Sequence, residues 1–137
     1  MWIQYPLFFL LILIAFLWIL TTVLRVRAYI TQSVSPADIT FINKHNLSKL
    51  TVLAGNNYDN QFQQPVLFTI LLITLQLHQL DGHLWYVISC FFVVARYWHC
   101  AEHIMGRNLL LRTIAFAMSS LTLFIGWFCF IYRMYTQ

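Results

Sequence analysis

The residues able to do chemistry in this chain are amides, arginines and two histidines, and their spacing brings them toward one another. Asn56, Asn60, Gln63 and Leu67 share one face at 3.6 residues per turn, with Asp59 and Gln64 at its margins. Arg96, His99, Cys100 and His103 fall on one face of another helical stretch. Arg25, Arg27, Arg107 and Arg112 close apolar segments near the same level, with Thr113 beside Arg112. Guanidinium forks grip carboxylates through two parallel hydrogen bonds, and amides hydrogen-bond the rest of a peptide-like anion. Thr113 is placed to donate to a bound thiolate, which a neighbouring arginine would favour by charge. No protein nucleophile stands beside a base, so any catalysis would activate a nucleophile on the ligand. A plainer reading has the arginines pairing with Asp59, Glu102 and backbone carbonyls, joining helices and nothing more. For the deepest of them, Arg96, the expected partner is Asp59 or the amides of the Asn56–Gln64 run.

Such groups need elements that hold them in a lipid setting. The chain has 137 residues, 61% hydrophobic and 9% charged, where a soluble domain carries about 25% charge. The composition therefore predicts an all-α membrane protein, and the length one domain, residues 1–137. The net charge of +4 sits at the ends of apolar segments rather than on one open face, which argues against nucleic acid as a partner. Cys90, Cys100 and Cys129 lie inside apolar stretches and read as packing residues, not as a disulfide framework.

Four transmembrane helices are predicted, at about 6–31, 48–77, 84–105 and 109–133. The first lacks a basic leader and a small-residue cleavage site, so it reads as a retained span rather than a signal peptide. Between the first two spans, Ser35-Pro36-Ala37-Asp38 predicts a short surface helix from Pro36 to about Lys44. The second span runs unbroken from Ser48 to Leu77 with a bend at Pro65. The first and third connections carry Arg25, Arg27, Lys44, Lys49, Arg107 and Arg112, against Arg133 alone on the other side. That imbalance predicts cytoplasmic first and third connections and both termini outside. Polar side chains at membrane depth must face protein or a wet cavity. The amides and guanidinium groups are therefore expected to turn inward and enclose a damp recess near the inner leaflet.

The run from Asn60 to Phe68 resembles the signature of the MAPEG family, the membrane-associated proteins of eicosanoid and glutathione metabolism. That signature places Asn, an acid three residues on, then Pro and Phe in the second helix. The resemblance extends to Leu24–Arg27, to Ala95–His99 and to Arg112-Thr113, in the family's order and over nearly the whole chain. The bacterial branch is the most similar, which implies a multi-pass protein of a bacterial inner membrane. The resemblance further implies a homotrimer of four-helix protomers, with glutathione as co-substrate between neighbouring protomers. It implies a glutathione-dependent transferase or peroxidase acting on a lipophilic small molecule that arrives from membrane lipid. Carried over by position, Asn60 matches the Asn that contacts glutathione, and Arg25 or Arg27 matches the first-helix arginine. Arg96, His99 and His103 fall where the third helix contributes, and Arg112 matches the arginine linked to thiolate activation, with Thr113 beside it.

Two departures matter. Asn56 stands where family enzymes have Arg, and Gln63 stands where they have Glu; Asp59 also replaces an arginine found in some members. A charge-assisted hydrogen bond is worth about 1.5–3 kcal/mol, so losing two weakens glutathione binding by orders of magnitude. The alternative is a non-catalytic membrane protein of the same fold that binds another anionic ligand, a lipid or a partner. A third reading puts a metal or haem on His99 and His103, one helical turn apart with Cys100 between. Histidines on a protein-facing helix side more often pack and hydrogen-bond, and no metal site is expected.

Overall fold

The computed structural model describes residues 4–31, 34–40, 46–105 and 108–136. Lys44 and Arg107, both expected near the site's level, lie outside the described residues. The described residues form six α-helices and no strand. The first, α1, spans Gln4–Ile30. Its Pro6 sits in the opening turn, where the missing N–H costs nothing. The second, α2, spans Pro36–Thr40. Ser35 and Asp38 cap it reciprocally: Ser35 N–H donates to Asp38 Oδ2 at 2.9 Å, and Asp38 N–H to Ser35 Oγ at 3.2 Å.

The expected continuous second span is divided. Helix α3 covers Lys49–Asp59, with Ser48 as N-cap accepting from Thr51 N–H. A 3₁₀ turn follows at Asn60–Phe62, then Gln63 at φ −104° and ψ −96°. Helix α4 restarts at Gln64 and runs to Leu77. Proline explains the break's location. Pro65 has no N–H for the carbonyl four residues earlier, and its ring clashes with that carbonyl. The chain therefore leaves the helix one turn before Pro65, not at it, and Pro65 opens α4 in its first turn.

Helix α4 ends in a Schellman arrangement. Gln79 is left-handed at φ 52°, Gln79 N–H donates to Gln76, and Leu80 N–H reaches back to Leu75 at 2.9 Å. Leu80 folds into the core beside it. Helix α5 then spans His83–Met105 and α6 spans Leu109–Thr136. Three helices, α1, α5 and α6, are long and apolar enough to cross a membrane. Neither half of the divided segment is long enough by itself.

The core lies where α4, α5 and α6 meet, with Leu10 of α1 added. Phe68 of α4 stacks on Phe92 of α5 with ring centroids 4.1 Å apart. Gly126 lets α6 approach α4 closely, since a Cβ there would lie 2.8 Å from Leu71 Cδ2. A second cluster joins Leu13 and Leu17 of α1 to Cys100 of α5. Large apolar side chains cover the outside of α1, α4, α5 and α6, as lipid contact requires.

Candidate functional site

A cavity of about 220 Å³ opens beside the end of α5 and the start of α6. Asn60, His99, His103, Arg112, Thr113 and Phe116 line it. Five of these six were expected site residues, and three separate stretches of sequence supply them. The antiparallel pairing of α5 and α6 brings His99 and His103 against Arg112. His99 Nδ1 lies 3.1 Å from the Arg112 carbonyl, and its ring sits 5.6 Å from His103 and 5.4 Å from Phe116. Both imidazoles are buried, with His99 Nε2 and His103 Nδ1 unengaged. The Arg112 guanidinium is half-buried and meets no acceptor among the described residues. Thr113 Oγ1 already donates to the Leu109 carbonyl at 2.9 Å, so donating to a thiolate would mean giving up that bond.

Arg96 is fully buried behind this cavity rather than on its wall. Its partner is neither Asp59 nor a side-chain amide. Nη2 donates to the Asn60 carbonyl at 3.3 Å, at the start of the helix break. A backbone carbonyl freed from its helix partner and shut away from water needs such a donor. Nε and Nη1 of Arg96 remain unengaged. This is the largest fully buried side chain among the described residues, and a buried cation without a full set of partners is costly.

The other expected residues lie elsewhere. Arg25 turns toward α3, where its Nη2 would lie 3.3 Å from a Cβ at Gly55. Arg27 is exposed and lines a different recess with Thr31, Ser48 and Thr51. Asn56 is half-buried and Gln63 exposed, and neither lines the 220 Å³ cavity. The amides that enter the protein's interior are Asn57 and Gln61, which the spacing argument passed over. Asn57 Nδ2 donates to the Cys100 carbonyl at 3.2 Å. Cys100 Sγ donates to Asn57 Oδ1, also at 3.2 Å. Gln61 Nε2 donates to the Asn57 carbonyl at 3.0 Å and reaches Cys100 Sγ at 3.3 Å. Gln64 continues the stripe onto α6, donating to Ser120 Oγ at 2.5 Å and accepting from Ser119 Oγ at 3.1 Å. The signal was present: Asn57, Gln61 and Gln64 have the same helical spacing as Asn56, Asn60 and Gln63.

Among the described residues the cavity walls offer donors and imidazole nitrogens and no carboxylate. Among the described residues, no third His, Cys, Asp or Glu joins His99 and His103 to hold a metal ion. The arrangement suits an anion with hydrogen-bonding groups beside it. No curated protein and no solved structure matches the chain. The model of the MAPEG family matches residues 3–132, nearly its full length. With helices fit to span a bilayer, this chain is an integral membrane protein and belongs to the MAPEG family.

Proposed function

We propose that this protein binds an anionic, glutathione-like ligand in the Asn60–Arg112 cavity and uses it against a lipophilic electrophile, as a transferase or peroxidase. The observation that carries the reading is the convergence of Asn60, His99, His103 and Arg112 on one cavity. Arg112 supplies a guanidinium that meets no acceptor among the described residues, for a carboxylate or a thiolate, and the Asn60 amide hydrogen-bonds the ligand's backbone. The lipid-facing side of α6 admits the electrophile from the bilayer. The divided segment α3–α4 acts as the remaining span, making four, with the cavity on the cytoplasmic side, both termini outside and a bacterial inner membrane as the setting. Three copies assemble, because the outward stripe of Asp59, Asn60 and Gln63 needs cover in lipid. A neighbouring copy provides that cover and enlarges the cavity, which at about 220 Å³ falls below the roughly 300–1,000 Å³ of pockets that bury a drug-sized ligand.

Calorimetric titration of glutathione into the detergent-solubilised protein tests the ligand, and conjugation of a chlorinated aromatic tests the reaction. Absence of heat at millimolar glutathione removes both. A second reading then stands, a non-catalytic binder of another anion. It is favoured by Asn56 and Gln63 at the family's charged positions, and by a Thr113 hydroxyl already committed to Leu109.

A further inference from the structure

A second concavity, of about 430 Å³, lies at the opposite end of the α5–α6 pair. Since α5 and α6 run antiparallel, the start of α5 and the end of α6 meet there, some 30 Å from Arg112 at about 1.5 Å per residue. The two ends differ in chemistry. At the Arg112 end the cavity walls carry no acid. Here Asp81 and Arg133 both line the walls, so each charge sign is present. Aromatic side chains line it too, with Phe128 and Tyr132 exposed and Trp85 buried as the floor. Tyr5 and Tyr86, near the starts of α1 and α5, line one recess together, and Tyr135 stands near the end of α6. Tyr and Trp gather at headgroup depth, so the concavity sits where lipid headgroups do. Among the described residues no acceptor engages the Arg133 guanidinium.

We propose that this concavity holds the headgroup of a zwitterionic phospholipid bearing a primary ammonium, its phosphate on Arg133 and its ammonium on Asp81. A guanidinium matches phosphate with two parallel hydrogen bonds, and the Asp81 carboxylate in the same lining matches the ammonium. The apolar floor takes the glycerol and first methylenes. A volume of about 430 Å³ lies within the roughly 300–1,000 Å³ range of small-molecule sites. An anionic lipid would satisfy Arg133 and be repelled by Asp81. This site is independent of the anion cavity and of any activity there.

The test is native mass spectrometry of the solubilised protein after incubation with equal amounts of dioleoyl phosphatidylethanolamine and dioleoyl phosphatidylglycerol. Retention of the ethanolamine lipid is expected to exceed that of the glycerol lipid about fivefold. Arg133→Gln, at an exposed position where folding is safe, is expected to lower ethanolamine-lipid retention at least fivefold. Asp81→Asn is expected to bring the two lipids to parity, and Arg112→Gln to leave their ratio unchanged. Equal retention by the unaltered protein, no loss in Arg133→Gln, or a change of ratio in Arg112→Gln would each overturn the assignment.

Discussion

Asn57, Gln61 and Gln64 form one stripe of amides along the Lys49–Leu77 segment, and Asn56, Asn60 and Gln63 form another, about 100° around the helix. The two have the same residue types and the same spacing. The first is engaged within the chain, on Cys100, Ser119 and Ser120. The second stays half-buried or exposed, and only Asn60 reaches the cavity. Amides of the first stripe hold the fold together, whereas in the second the Asn60 side chain faces the cavity and Gln63 lies exposed. Identical residue types at identical spacing therefore meet different surroundings, which burial separates and residue type does not.

Substitutions can break that contrast. The largest effect is expected for Asn57→Ala, which strips the Cys100 carbonyl and thiol of their partner and should lower stability by about 2–3 kcal/mol. A thermal melt in detergent should fall by roughly 5–10 °C; an unchanged melt would erase the inner stripe's structural role. Next comes Asn56→Arg with Gln63→Glu, which gives the outer stripe two charged contacts. Titration should show glutathione affinity rising about 100-fold, near 2.7 kcal/mol, with the melt little changed. Arg112→Ala should weaken ligand binding about tenfold and leave thermal stability within about 0.5 kcal/mol. Gln64→Ala should cost about 1 kcal/mol by removing the bonds to Ser119 and Ser120. A double variant with Ser119→Ala should cost less than the sum, because the two residues share one bond.

Composition and aromatic placement made α1, α5 and α6 legible, because lipid demands long apolar runs with marked ends. The Ser35 cap was equally readable, since a helix start is a local event. The resemblance at Asn60–Phe68 and Arg112-Thr113 agrees with the family match over residues 3–132. What could not be read depended on tertiary choices. Two equivalent amide stripes cannot be told apart by period alone, and the helices packed around them decide which turns inward. Arg25 turns toward α3 at Gly55 while Arg27 faces outward, and two residues of separation on one helix do not say which will do so. Pro65 announced a disturbance, yet the carbonyl it displaces lies a turn away, so the break appears upstream at Asn60–Gln63. Arg96 then satisfies a carbonyl that a continuous helix would not have left in need of a donor.

The 3₁₀ turn at Asn60–Phe62 also resets the angular phase of the segment. A 3₁₀ helix advances about 120° per residue against about 100° for an α-helix, so three such residues by themselves contribute roughly 60° of extra rotation, and Gln63, at φ −104° and ψ −96°, turns the chain further from the helical path. Without that offset, Asn57 and Gln64 would look in nearly one direction. With it, a single run of amides addresses two neighbours: Asn57 points at α5, and Gln64 points at α6. The turn thus works like a gear between the halves, letting each half mesh with its own partner helix in its own register.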